Sequence, residues 1–172
     1  MNIRTVLTDR EGIHWFCFGG ENGALAWHPQ KGSFTSFRPN QSCPDSLHGR
    51  TIQCALEDSE GQIWLGSFEK GVARFNKKTG RFQNFSIENG LKGDNIFQII
   101  EQPKGHIWIH DVNGGLTEYN LQTGILTPIV LNERFDNQAA RSQLISDQEG
   151  FLVLGYPNRI VRFQPLREIK IS

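Results

Sequence analysis

Methionine is almost absent from this chain, one residue in 172, and tyrosine occurs only twice. Cysteine is scarce as well. Cys17, Cys43 and Cys54 are an odd number at irregular spacing, which gives neither a disulfide framework nor a CxxC metal motif. Buried or idle thiols are expected. No apolar run approaches the roughly 18 residues that a spanning helix needs, so no membrane contact is expected of this segment. The first dozen residues carry charges and no apolar core, so no signal peptide is read there. On that ground the chain is expected in the cytoplasm unless it is cut from a longer exported protein. A charge of one sign is also lacking. Eighteen Lys and Arg balance eighteen Asp and Glu, which argues against a nucleic-acid surface and against an acidic tail.

What the chain has is Gly (18), Phe (12) and Trp (4). Glycine with aromatics points to many short strands joined by tight turns. These residues also recur. Gly12-Ile13-His14-Trp15 is echoed by Gly61-Gln62-Ile63-Trp64, by Gly105-His106-Ile107-Trp108 and, more weakly, by Gly150-Phe151-Leu152-Val153. Asp9, Asp58, Gln102 and Asp147 each stand three residues before the glycine. Trp27, Phe75, Tyr119 and Phe163 follow at a near-constant distance. The repeat is therefore one structural unit of about 45 residues.

The second copy shows what that unit is. Thr51 to Glu57 is mostly apolar and predicts a strand buried on both faces. Asp58 to Gly61 predicts a turn, with Asp bonding its own backbone and Gly free to take positive φ. Gln62 to Gly66, Val72 to Asn76 and Arg81 to Ser86 predict three more strands, the last the most polar. Asn132 to Gln143 reads as a loop or a single helical turn. A four-stranded meander cannot bury both faces alone, whereas meanders packed face to face around an axis can. The expected fold is all-β: a β-propeller of about four blades of four antiparallel strands, a partial ring or part of a seven-bladed propeller. The blades are expected at about residues 3–38, 51–86, 95–131 and 141–172. Trp15, Trp64 and Trp108 are then assigned to the packing between blades.

Catalytic signatures are few. No Gly-x-Ser-x-Gly elbow, Walker loop, GxGxxG or HExxH is present, so no catalytic residue, metal or cofactor is assigned and the segment is not expected to be an enzyme. His14 is unusual because the other copies hold Ile63, Ile107 and Leu152 there. His106 and His110, four apart on one strand, stand about 13 Å apart and cannot share a metal. Binding is the more plausible role. Loops entering the first strand of each blade, and turns joining the second and third strands, should crown one rim of the axis. They carry Arg50, Phe68, Asn95, Asp111, Asn113, Arg141, Tyr156 and Arg159. Arg and Asn with aromatics suit an oligosaccharide or a small polar ligand. Arg141 falls where the other copies have Ile3, Ile52 and Ile96, at the mouth of the axis. The ring is expected to be completed by a second copy or by the remaining blades of a longer chain.

Leu56-Glu57-Asp58-Ser59-Glu60-Gly61-Gln62-Ile63-Trp64-Leu65-Gly66, followed by Gly71-Val72-Ala73-Arg74-Phe75, resembles the two-component regulator propeller repeat. So does Gly105-His106-Ile107-Trp108-Ile109 followed by Gly114-Gly115-Leu116-Thr117-Glu118-Tyr119, and so does the link from Glu88 through Asn95-Ile96. The resemblance implies the sensor region of a hybrid histidine kinase, periplasmic, recognising oligosaccharide fragments. A protein-interaction scaffold using the same rim is the alternative. Gly12-Ile13-His14-Trp15-Phe16 is also similar to the streptogramin-inactivating lyases, seven-bladed enzymes with a catalytic His and a magnesium-dependent site, and that is the third reading.

Overall fold

Every turn glycine of the repeat falls between strands, and the strands alternate with the predicted spacing. The computed structural model describes residues 2–129, 143–156 and 159–164. The first sheet holds β1 (Asn2–Thr8), β2 (His14–Gly19), β3 (Ala24–His28) and β4 (Ser33–Phe37). The second holds β5 (Ile52–Glu57), β6 (Ile63–Ser67), β7 (Val72–Asn76) and β8 (Arg81–Phe85). The third holds β9 (Ile96–Glu101), β10 (His106–Asp111), β11 (Leu116–Asn120) and β12 (Leu126–Ile129), and the fourth β13 (Gln143–Ser146), β14 (Leu152–Tyr156) and β15 (Arg159–Phe163). Each sheet is an antiparallel meander in chain order. The chain is thus an all-β propeller segment of four blades. The final strand expected in the fourth blade, and most of the predicted loop from 132 to 143, lie outside the described residues; Gln143 itself opens β13.

One local expectation needs correction. The first strand of the blade, expected to be buried on both faces, is not. In β6 all five residues are buried and in β10 five of six, whereas β5 is mainly half-buried and β1 largely exposed. The physical reason is position: the second strand has a neighbour on each edge and a blade on each face, while the innermost strand turns one edge to the axis. The link between the second and third blades opens with a short 3-10 turn, Ile87–Asn89, closed by the Ser86 N–H donating to Asn89 Oδ1 at 3.0 Å.

Blades join through one repeated contact. Trp15 meets Phe75 edge-on with ring centres 5.4 Å apart, Trp64 meets Tyr119 at 5.1 Å, and Trp108 meets Phe163 at 5.7 Å. Each pair sits in its own apolar cluster spanning two sheets. The indoles are therefore packing residues, and their N–H groups explain the acidic position before each turn. Trp15 donates to Asp9 Oδ2 at 3.0 Å and Trp64 to Asp58 Oδ2 at 2.7 Å. Trp108 donates to the main-chain oxygen of Gln102 at 2.6 Å, so the third copy does without the carboxylate. The other carboxylate oxygen of Asp58 accepts the N–H groups of Glu60 and Gln62, closing the turn. Glutamates add a second junction contact. Glu57 accepts the Arg10 N–H of the preceding blade, and Glu101 accepts that of Ser59.

Candidate functional site

The rim is built where the second strand of each blade ends and the first begins. Ile52 pairs with Ser67 and Ile96 with Asp111, so the loops entering β5 and β9 stand beside the β6–β7 and β10–β11 turns. Main-chain bonds then lock neighbouring loops together. Phe68 N–H donates to the Thr51 carbonyl at 2.9 Å, and Val112 N–H to that of Asn95 at 2.9 Å. Across blades, Gly23 N–H donates to the Arg50 carbonyl and Gly71 N–H to the Asp94 carbonyl. Gly71 has φ +65°, and a Cβ there would collide with the carbonyl oxygen of Phe85. The rim is therefore a rigid frame rather than a set of free loops.

Four predicted residues stand on this frame. Arg50 is exposed and pairs with Glu21 of the first blade at 3.0 Å. Phe68 is an exposed large aromatic. Asn95 accepts from the Gln53 amide at 3.3 Å. Asn113 is exposed, its N–H donating to Asp111. Asp111 sits beneath them instead. It is buried, and its carboxylate accepts the Asn113 and Gly115 N–H groups, which closes the β10–β11 turn as Asp58 closes its own. Tyr156 and Arg159 are backbone partners by register at the end of the β14–β15 hairpin. Arg141 lies outside the described residues.

Outboard of the frame is a cleft of about 340 Å³ that the sequence did not single out. Lys70 and Asp94 border it from the rim, and Gln41, His48, Asn84 and Asn89 complete its wall. Only the tertiary link between loop 38–51 and the β8 end brings them together. Asn84 holds that loop by donating to the carbonyls of Pro44 and Ser46. A larger hollow of about 490 Å³ lies at the opposite end of the second blade, between Glu60, Arg74 and Arg81.

The titratable groups are mostly framework. His14 hydrogen-bonds through Nδ1 to Thr8 Oγ1 at 2.8 Å and stacks on Trp27. His106 pairs with Glu118. Burial pushes His110 down to about 4, against the opposing influence of Asp111. Burial also pushes the Cys17 and Cys54 thiols up to about 12, so neither is a ready nucleophile. Burial disfavours the Asp9 carboxylate, but bonds from Lys77, Trp15 and the Ile13 N–H outweigh it and hold the group below its ordinary range. Among the described residues no three His, Cys, Asp or Glu side chains are placed to hold a metal ion.

Residues 46–69 match the family model described as two component regulator propeller. That stretch runs from the end of the loop before β5 to the β6–β7 turn, and it carries Arg50 and Phe68. The fold is similar to the extracellular domain of a putative hybrid two component system from B. thetaiotaomicron, at 18% identity and a TM-score of 0.77, over 95% of this chain and 22% of that one. It is also similar to an auxiliary nutrient binding protein from Bacteroides thetaiotaomicron, at 11% identity and TM-score 0.62, over 94% and 38% of the two chains. PorZ, a surface component of the type-IX secretion system of Porphyromonas gingivalis, matches at 13% identity and TM-score 0.52, over 94% and 32%. The chain thus spans between about a fifth and two fifths of these structures. At such identities the likeness is one of fold. No curated protein matches the chain.

Proposed function

We propose, from the two component regulator propeller repeat carried by residues 46–69, that this chain is a sensory, ligand-binding propeller segment of a two-component signalling regulator. The rim takes an oligosaccharide or another small polar molecule. The supporting observation is the exposed Phe68 on the same main-chain-locked rim that carries Arg50, Asn95 and Asn113. An aromatic face with amide and guanidinium donors around it suits the apolar face and hydroxyl edge of a sugar. Arg50 already faces Glu21, which favours a neutral sugar over an anion. As part of a sensor kinase such a segment works in the periplasm; no helix among the described residues is long and apolar enough to cross a membrane.

The test is thermal unfolding against a panel of neutral and acidic oligosaccharides. A binding sugar raises the melting temperature with concentration, by mass action on the native state. The Phe68→Ala and Asn113→Ala variants should keep the unliganded melting temperature within a degree or two and lose most of the shift. No shift across the panel would reject the reading and leave an interaction scaffold.

A further inference from the structure

The hollow of about 490 Å³ lies away from the rim, on an interior blade. Its size falls within the range of ligand pockets, about 300–1,000 Å³. Strand register explains its wall. Trp64 pairs with Arg74 and Arg74 with Gln83, while Asn76 pairs with Arg81 two residues along. Paired residues share a face, so these polar side chains stand on the face that carries Trp64. The Arg74 guanidinium is held there, its centre 5.3 Å from the Trp64 ring and 5.9 Å from that of Tyr119.

An arginine presents Nε and Nη2 along one edge, spaced for the two oxygens of a carboxylate. In the fourth blade the matching arginine fills that edge: Arg162 gives Nε to Asp147 at 2.7 Å and Nη2 to Glu149. Arg74 leaves it half used. Its Nη2 serves both Asp58, at 3.1 Å, and Glu60, at 2.8 Å, and its buried Nε has no hydrogen-bond partner. A second orphan belongs to the same wall. The Gln62 amide donates to the Glu60 carbonyl at 3.3 Å, and its buried Oε1 receives no donor. An unmade donor and an unmade acceptor each carry a cost that a bound molecule can remove.

Glu60 shows what the edge accepts. Asp58 is sealed and fixes the guanidinium, whereas the Glu60 side chain is 54% exposed and its bond is that of a surface pair. It can swing into water and leave Nη2 to another carboxylate, which then reaches Nε as well. Arg81 already pairs with Asp45 at 3.2 Å. Lys78 borders the hollow with no acidic partner among the described residues, which leaves one positive charge over.

We propose that this hollow is a second binding site, separate from the rim, for a small molecule carrying a carboxylate with a hydroxyl group beside it. The carboxylate displaces Glu60 and takes the Nε–Nη2 edge of Arg74. The hydroxyl donates to Gln62 Oε1, and Lys78 balances the charge.

D-Galacturonate is the probe, titrated into the intact chain labelled with nitrogen-15. The Arg74 Nε–H and Trp64 indole N–H signals should move together and saturate. Galactose, the neutral counterpart, should leave both in place. Glu60→Gln removes the competing carboxylate from an exposed position and should tighten binding about threefold, the strength of a surface pair. Arg74→Lys keeps a charge beside Asp58, removes the fork and should abolish the response, with the melting temperature reporting that the chain still folds. Phe68→Ala, at the rim, should change nothing here, so the two sites stand or fall separately. Unmoved signals would overturn the proposal, as would galactose acting equally well or a Kd that Glu60→Gln leaves unchanged. The same movement with inorganic sulfate would show a general anion site and overturn the carboxylate assignment.

Discussion

Asp58 is the residue on which most of a repeat turns. It is fully buried, and it meets the Trp64 N–H, two main-chain N–H groups and Arg74 at 3.1 Å. Removing it orphans several donors at once, so Asp58→Ala should cost about 2–4 kcal/mol in a urea titration. Asp147 has no indole to hold, since Val153 replaces it, and Arg162 takes that carboxylate oxygen at 2.7 Å near the surface. Asp147→Ala should therefore lose clearly less. His110 makes a pH prediction. It is buried and held to about 4, so the unfolded chain binds the extra proton first. Its stabilising contribution is complete above about pH 6.5 and is lost as the pH falls toward 4, up to about 3 kcal/mol. His110→Gln should flatten that part of the stability curve.

At the scale of strands and turns, the sequence was most legible where one residue type has one job. Gly-x-x-Trp spacing located β2, β6 and β10, and Val72–Asn76 was bounded to the residue. The inter-blade place of the indoles also followed from their recurrence. What stayed hidden depends on neighbours that are distant in sequence. Glu57 and Glu101 look like ordinary strand ends until the preceding blade offers an N–H. Asp111 reads as a rim acid, but its turn folds over it. The cleft beside Lys70 and His48 needs loop 38–51 to be tied down by Asn84 before it exists. The turns give a further test. Gly80 has positive φ and open space, so Gly80→Ala should cost only the backbone strain, about 1–2 kcal/mol. Gly71→Ala adds a collision with Phe85 and should cost clearly more, read as a lower urea midpoint.

Across the whole molecule, stability should be graded from centre to ends. The middle two blades are packed on both faces, while the first and fourth each leave one face bare. Hydrogen exchange should find the slowest amides in β6 and β10 and faster ones in β1 and β4. Uniform protection along the chain would contradict that gradient.

The placement of the four tryptophans also gives the chain a built-in optical gauge. Trp15, Trp64 and Trp108 are sealed in the interior, and Trp27 alone stands on the bare face. Iodide should therefore quench a minor fraction of the emission, that of one indole in four. The sealed three should emit at shorter wavelength and stay dark to the quencher. Covering the first blade should shield the fourth indole and move its emission to the blue, so the state of the arc can be followed in solution without any label.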